Sequence, residues 1–241
     1  RRSCRRACCC SSPTVHSLTS PTACMESVSP AERERFLAAR GNDPQAAQEM
    51  LEAHLAWRAA TLPLREGQPR IGKTIPEWMF FHGTTRDGTS ILWINGARYD
   101  AEAATEEEQG HAAAALIDER VARDSPEQIT VCLDVRGSEG WPNPPAYNML
   151  SAIRTISGVL SDNFPERCCR VIVYPMPWGA ATLWTGIKLF LDQNTADKVV
   201  LLSGPVTRGS PCPVELAEYV LVDQIRPDML HRYESLRTAA S

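Results

Sequence analysis

The stretch from Asp162 to Asp197 joins a short polar motif to two strongly apolar segments. The motif is Asn163 to Arg167, and it precedes Arg170 to Tyr174, which is rich in the aliphatic residues of a buried parallel strand. Residues Ala180 to Leu191 follow, with the apolar pattern of a helix that has few polar positions. A polar motif beside two such segments is typical of a pocket for a hydrophobic ligand with a charged end.

Residues that could form a catalytic group are present, but no motif links them. Cys132, Asp134, His82 and His111 include a possible nucleophile and its partners. The sequence has no Gly-x-Ser-x-Gly elbow, no phosphate-binding glycine-rich loop and no Cys-His signature. Cys132 is interpreted as an alternating strand residue that faces the core. We therefore expect no catalytic residue and no enzyme.

The nine cysteines do not form the pattern of a disulfide framework. Five of them lie in the first 24 residues, and the others are Cys132, Cys168, Cys169 and Cys212. The histidines do not lie at metal-ligand spacings from these cysteines. We expect buried, reduced thiols, no metal site and a reducing compartment.

Composition indicates one globular domain with an appendage. The chain has 241 residues, of which 43% are hydrophobic and 22% charged, enough for a core of ordinary size. A net charge of -4 argues against a nucleic-acid binder or a broad basic surface that adsorbs to membranes. No run reaches the roughly 20 apolar residues of a membrane span, so we expect any membrane contact to be local and apolar.

The N-terminal residues 1–28 are predicted to be a disordered or targeting extension. Arg1 to Ala23 is rich in Arg, Cys and Ser, contains no acidic residue and precedes Met25. Four interpretations stay open: an organellar transit peptide, a cysteine cluster for S-acylation, a disordered tail, or coding sequence upstream of a start at Met25.

Two helices are predicted over residues 29–62. Ser29 to Glu32 has the pattern of a capping box that opens a helix running to about Arg40. Gly41 and Asn42 stop it, and Asp43-Pro44 opens a second helix that runs through Trp57. Together they form a small helical lobe.

The remainder of the chain predicts an α/β fold. Two short strands, Met79 to His82 and Ser90 to Asn95, flank a turn, and Thr105 to Glu108 is a capping box that opens a helix. Three buried parallel strands are predicted over Ile129 to Val135, Arg170 to Tyr174 and Lys198 to Leu202. Helices over Ala146 to Leu160 and Ala180 to Leu191 separate them, with right-handed crossovers.

The residues from Pro30 to Leu230 resemble the CRAL-TRIO domain, a lipid-binding fold, and the likeness is strongest from Ile129 to Ser203. The run RFLAARGNDPQAAQEMLEAHLAWR is similar to the helical lobe that precedes the lipid-binding lobe in this family. The resemblance implies a mostly parallel sheet, flanked by helices that form a lipid pocket, over residues 74–231. Residues 232–241 would be a C-terminal tail.

The resemblance also implies a headgroup site. Members that bind phosphatidylinositol hold the headgroup with an Arg of the helical lobe, the Glu of a Pro-Glu-Arg motif and a Lys that opens a strand. The matching residues are Arg40, Glu166 and Lys198. Arg40 and Lys198 would engage the phosphate, and Glu166 would accept hydrogen bonds from inositol hydroxyls. Three other interpretations stay open: a helix cap for Arg40, an ion pair of Glu166 with Arg167 or Arg170, and a solvated charge for Lys198.

By the same likeness, the apolar helix Ala180 to Leu191 is either ordinary core or a gate that closes over the lipid. Exposing it to water would be costly, because burial of each large apolar side chain is worth roughly 1.5–3 kcal/mol. The resemblance implies that it opens on membranes. The implied gate and pocket residues are Trp178, Leu183, Trp184, Ile187, Phe190 and Leu191.

The expected function is to bind a hydrophobic lipid, with phosphatidylinositol as the first choice, and to transfer or present it between membranes. The expected partners are that phospholipid and a transient membrane surface; we expect no nucleic acid, no cofactor besides the lipid, and a monomer. The expected location is cytoplasmic and peripheral to membranes, or an organelle if residues 1–23 are a transit peptide. The alternatives are a regulatory module of a signalling protein and a carrier of a hydrophobe such as tocopherol.

Overall fold

A computed structural model of the chain describes residues 28–138, 140–141, 144–177, 181–189 and 196–239. Within these residues, five strands form one sheet in the order β1-β2-β3-β4-β5. The strands are β1 (Met79–Thr84), β2 (Ser90–Asn95), β3 (Ile129–Asp134), β4 (Cys168–Met176) and β5 (Val199–Ser203). The first two form an antiparallel hairpin, and every later neighbour is parallel. The predicted α/β fold with a mostly parallel sheet is confirmed.

The α-helices whose bounds the structure defines lie before, between and after the strands along the chain. They are α1 (Pro30–Ala39), α2 (Pro44–Thr61), α3 (Glu106–Arg120), α4 (Leu150–Asn163), α5 (Ala181–Lys188) and α6 (Glu234–Ala239). Short 3₁₀ turns lie at Gly96–Arg98, Ala146–Met149, Val214–Glu218, Val222–Gln224 and Pro227–Arg232.

Several predicted helix boundaries were inaccurate: the second helix runs to Thr61 rather than Trp57, and the helix expected to end at Leu160 runs to Asn163. The helix expected from Ala146 begins as a 3₁₀ turn and becomes α-helical at Leu150, a tightening that is common at helix starts. The apolar helix ends as α-helix at Lys188, and Leu189 lies in a turn. Its expected ends, Ala180 and residues 190–191, lie outside the described residues.

Local capping explains where the first helices begin. Asp43 accepts hydrogen bonds from the backbone N–H groups of Gln45 and Ala46 at the start of α2. The predicted box of Thr105 and Glu108 closes at the start of α3. At α1 the predicted box is half formed: Ser29 accepts from the N–H of Glu32, but the Glu32 carboxylate is turned to another partner, Arg123.

Helices α3 and α4 cover one face of the sheet, and the C-terminal segment (residues 212–236) covers the other. On the first face Leu92 and Ile129 pack with Ile117 of α3 and Ile156 of α4. On the second face the strand side chains pack with C-terminal residues, and the cluster includes Cys132, Ile172, Tyr174, Leu202, Leu216, Val220 and Tyr233. The sheet therefore lies between a layer of two α-helices and a layer formed by the C-terminal segment.

The helical lobe attaches to the end of α3 through buried polar contacts. The Glu32 carboxylate accepts two hydrogen bonds from Arg123, at 3.1 and 2.7 Å, and lies 3.5 Å from Nε2 of His54. Arg58 of α2 forms a bidentate ion pair with Asp118 of α3. These contacts fix α1 and α2 against the residues that lead into β3.

Candidate functional site

Glu166 and Lys198, two of the three predicted headgroup residues, form a direct contact. Glu166 lies in the turn between α4 and β4, and Lys198 lies immediately before β5. The two strands are parallel neighbours, and the N–H of Val171 donates to the carbonyl of Lys198 at 3.1 Å. Both residues therefore lie at the amino edge of the sheet, where the Lys198 Nζ is 3.1 Å from the Glu166 Oε2.

This ion pair is partly exposed to solvent and is expected to contribute little to the stability of the fold. The side chains of Lys198 and Glu166 are 26% and 25% exposed. An ion pair of this exposure typically contributes only about 0–1 kcal/mol to stability. A ligand can therefore insert between the two groups at small cost, and it would find a cationic donor beside an anionic acceptor.

The backbone of Glu166 adopts a conformation that is rare for its residue type. Its φ is 56°, in the left-handed region, and among the described non-glycine residues only Asn42 shares this property. The conformation costs a residue with a Cβ roughly 1–2 kcal/mol, so surrounding contacts must hold it. One such contact is the Nε2 of Gln128, which donates to the Glu166 carbonyl at 2.9 Å.

Arg40, the third predicted headgroup residue, lies at the C-cap of α1. Its backbone N–H bonds to the carbonyls of Leu37 and Ala38, and the residue is exposed. Within the described residues, the contacts of Glu166 and Lys198 do not include its guanidinium. The geometry thus brings together two of the three residues, and a headgroup role for Arg40 stays a prediction.

One face of β3, β4 and β5 is apolar but incompletely covered. Side chains alternate along a strand, and paired residues of neighbouring strands point to the same face. Val131 packs towards α3 and α4. By this rule its face of the sheet also carries Val173, which is buried, and four half-buried residues of β3, β4 and β5. This open face is defined by the half-buried side chains of Val131, Leu133, Val171, Val199 and Leu201. Val199, at one end of this face, directly follows Lys198 in the chain.

The opposite side of the same strands, the closed face, is more completely packed, with only Val200 of β5 partly buried there among the strand residues of the core cluster. It is defined by Cys132, Ile172, Tyr174 and Leu202. Cys132, Ile172 and Tyr174 are each 0% exposed. This result confirms the predicted core position of Cys132, whose thiol pKa burial raises far above its ordinary value. Such a thiol is inert as a nucleophile.

The predicted gate helix corresponds to α5, which connects β4 to β5 and contacts α4. Trp184 is half-buried, and the Nζ of Lys188 lies 5.9 Å from the centroid of its ring. Leu189, just after α5, is 80% exposed. Leu183 and Ile187 lie on α5, but their side chains are outside the described set, as are the residues Trp178, Phe190 and Leu191. The gate role of these six residues stays a prediction.

A small, partly open cavity lies between the helical lobe and the sheet domain, lined by Glu32, Arg35, His54 and Arg167 among others. Its volume of about 10 Å³ holds no more than one water molecule. It is therefore not a site for a hydrophobic ligand, and the open face is the better candidate.

Asp134, a candidate catalytic residue, is held by two arginines. Asp134 is bound by Arg136 and Arg232 through its carboxylate oxygens. Among the described residues, no group of His, Cys, Asp or Glu has the arrangement of a metal site, and Cys132, Cys168, Cys169 and Cys212 are free thiols. In the same residues no helix has the length and apolar character to cross a membrane.

The sequence did not predict the buried position of Arg167 beside Glu166. Arg167 and Arg170 were expected only as possible ion-pair partners of Glu166. In the structure Arg170 pairs with Asp87, and Arg167 donates to backbone carbonyls. The Pro-Glu-Arg motif was the available signal, since Arg167 directly follows the proposed headgroup acceptor.

Comparisons with known proteins agree with this architecture. A family model described as the CRAL/TRIO domain matches residues 77–228. The CRAL-TRIO domain-containing protein YKL091C of Saccharomyces cerevisiae is 28% identical over 80 residues, which are 33% of this chain and 24% of the yeast protein. The crystal structure of Sfh5 matches with a TM-score of 0.57 at 15% identity, over 72% of this chain and 64% of that one. The likeness to Sfh5 concerns the fold, and the chain spans less than two thirds of either relative.

Proposed function

Because the chain belongs to the CRAL/TRIO domain family, we propose that it binds one phosphatidylinositol molecule and transfers or presents it between membranes. The acyl chains lie on the open face beneath α5, and the headgroup lies at Glu166 and Lys198. The observation that carries the proposal is the contact of this partly exposed acceptor and cation, 3.1 Å apart, where Lys198 directly precedes the half-buried Val199 of the open face.

The open face supports the hydrophobic part of the proposal. Its half-buried Val and Leu side chains keep apolar area in contact with water. Covering such area is favourable by about 25 cal/mol per Å². An acyl chain laid along β3, β4 and β5 would cover this face without displacing the packed side chains of the closed face.

The Glu166–Lys198 pair supports the choice of an inositol headgroup. A phosphodiester needs a cation, and a ring of hydroxyls needs an acceptor. Lys198 supplies three donors to the phosphate, and Glu166 accepts from the hydroxyls. Separating the two side chains costs little because their contact is solvent-exposed.

We propose that the membrane contact is transient and made at α5. Leu189 is exposed at the end of this helix, close in sequence to Trp184 and Lys188. A large apolar side chain beside a cation suits the boundary between acyl chains and headgroups. The protein would then act as a monomer that docks, exchanges its lipid and leaves.

Mass spectrometry and a transfer assay test the proposal together. The purified full chain is incubated with vesicles of mixed phospholipids and tocopherol, and the lipid that it retains is extracted and identified. Transfer of labelled phosphatidylinositol between vesicles is then measured for Glu166→Gln and Lys198→Ala. Glu102→Gln and Lys73→Ala are matched controls, because both residues are exposed and lie outside the site.

We expect about one phosphatidylinositol per chain, and transfer that is lost in both site variants and kept in both controls. The variants should remain folded, since their ion pair contributes little to stability. Wild-type transfer by both Glu166→Gln and Lys198→Ala would contradict the headgroup assignment. Stoichiometric retention of tocopherol without phospholipid would contradict the choice of ligand.

A further inference from the structure

The residue that follows Glu166 is buried and bound to the backbone of a neighbouring loop. Arg167 is among the buried charged residues, at 4% exposure. One of its terminal nitrogens, Nη1, donates to the carbonyls of Ser125 and Glu127 at 2.6 and 2.8 Å. The other, Nη2, donates to the carbonyls of Ala122 and Arg123 at 2.6 and 3.2 Å. The guanidinium thus joins the turn of Glu166 to the α3–β3 loop (residues 121–128).

The backbone around Glu166 is tied to the same loop. The N–H of Ile129 donates to the carbonyl of Arg167 at 2.7 Å. Gln128 donates to the carbonyl of Glu166. These contacts and the Arg167 guanidinium therefore fix the two peptide units that directly follow Glu166, whose own backbone is left-handed.

The α3–β3 loop is in turn held by the helical lobe. Arg35 of α1 donates to the carbonyls of Ser125 and Arg123, at 3.1 and 2.7 Å. These are two of the four carbonyls that Arg167 also binds. A continuous set of hydrogen bonds therefore runs from α1 through the loop to the turn that carries Glu166.

The hydrogen bonds of Arg35 and Arg167 to the same loop bring two positive charges close together. Burial lowers the pKa of Arg167, and burial together with the charge of Arg167 lowers the pKa of Arg35 to about 10. Glu32 offsets part of the repulsion at both residues. Only the planar fork of an arginine can bind carbonyls on both sides at once, so a lysine would not replace Arg167.

We propose that Arg167 is a positioning residue of the lipid site, which holds Glu166 in its left-handed conformation so that the carboxylate faces Lys198. The inference rests on the proposed function, because it concerns the same headgroup site. It assigns Arg167 no contact with the ligand. Its effect on binding passes entirely through the side chain of Glu166.

The substitution Arg167→Lys tests this role, because it keeps the charge and removes the fork. Binding is measured as the partition of pyrene-labelled phosphatidylinositol from vesicles to the full chain. We expect Arg167→Lys to weaken the binding of phosphatidylinositol about tenfold to hundredfold. This is the effect of losing one charge-assisted hydrogen bond, here the bond between the displaced Glu166 carboxylate and the headgroup. Arg86→Lys is the matched control, since the Arg86 Nε also binds a carbonyl, that of Ala217, but Arg86 is exposed.

A double-mutant cycle separates positioning from a general loss of stability. If Arg167 acts through Glu166, Arg167→Lys has less than about a twofold effect in the Glu166→Gln background, because the contact that it positions is already gone. A merely structural role would weaken binding by the same factor in both backgrounds, and that result would overturn the proposal. Wild-type binding by Arg167→Lys would overturn it as well.

If Arg167→Lys does not fold, a second variant tests whether contacts with the α3–β3 loop position Glu166. Gln128→Ala removes the exposed donor to the Glu166 carbonyl and should weaken binding a few-fold in the wild type but not in Glu166→Gln. Equal weakening in both backgrounds, or none in either, would overturn the proposal. If Glu166→Gln alone leaves binding unchanged, the headgroup assignment has failed instead, so the two failures are distinguishable.

Discussion

The two faces of β3, β4 and β5 are built from adjacent residues of the same strands but differ in what covers them. On the closed face Ile172 is fully buried under the C-terminal segment, whereas its neighbour Val171 on the open face is half-exposed. Both residues are β-branched aliphatics, so composition does not explain the difference. The closed face contributes to stability, and the open face keeps apolar area available for a ligand.

The closed face is also fastened by buried charge. Arg136 is 2% exposed, forms a bidentate pair with Asp134, and donates to the carbonyls of Ser210 and Arg232. Tyr233 donates to Asp134 and shares a hydrogen bond with Tyr174. This network attaches the C-terminal segment to the end of β3. Under the proposed function a lipid covers the open face, so no protein segment has to be attached there.

Breaking that network should have the largest effect on stability. Asp134→Ala leaves Arg136 as an uncompensated buried charge, so we expect the free energy of unfolding to fall by about 3–5 kcal/mol. Denaturant titration measures the change. Asp87→Ala, at an exposed pair with Arg170, is the control and should cost only about 0–1 kcal/mol. Equal losses in the two variants would show that burial does not distinguish them.

Truncation of neighbouring residues on opposite faces tests the comparison directly. Ile172→Ala removes packed volume from the closed face, and we expect the free energy of unfolding to fall by about 2–5 kcal/mol. Val171→Ala removes a side chain that is already half in water and should cost less than half as much. Lipid binding should respond in the opposite order. The distinction fails if both variants lose the same stability.

Enlarging a side chain gives the converse test. Leu202→Trp overpacks the closed face and should lower the free energy of unfolding by about 1–3 kcal/mol. Leu201→Trp on the open face should leave stability nearly unchanged, because the new ring enters unfilled space, but it should reduce the amount of lipid that co-purifies. Retention of a full equivalent of lipid by Leu201→Trp would argue against a ligand on this face.

A smaller, pH-dependent effect is expected outside both faces, where the helical lobe docks. Burial alone would raise the pKa of Glu32, but hydrogen bonds with His54 and Arg123 and the charge of Arg123 lower it below its ordinary value of 4.5. The resulting stability is present above pH 4.5 and is lost as the pH falls through the lowered pKa. Glu32→Gln should therefore flatten the decline of unfolding free energy below pH 4.5. An unchanged slope in acid denaturation curves would contradict this.

Much of the fold could be predicted because its signals are local. The strand at Ser90–Asn95 was predicted from its composition and the turn signal before it, and the capping box at Thr105 was predicted from its cap residues. The parallel pairing of β2 with β3 was not predicted, since a strand does not encode its partner locally. The parallel part of the sheet accordingly has four strands rather than three.

The site was predictable in part for the same reason. The Pro-Glu-Arg motif and the Lys before a strand led to Glu166 and Lys198, and the sheet brings the two together. The left-handed backbone of Glu166 and the four carbonyls bound by Arg167 depend on a loop about forty residues earlier in the chain. Contacts at that separation have no periodic signature. The burial of Glu32 against Arg123 escaped prediction for the same physical reason.

The order of the strands in space follows their order along the chain. Each strand is laid beside the one that preceded it, so the sheet can assemble unit by unit from β1 and can be taken apart from β5. Helix α5 belongs to the last unit, because it connects β4 to the outermost strand. Displacement of this helix therefore acts first on β4, β5 and α4, and the hairpin of β1 and β2 lies at the opposite side of the sheet.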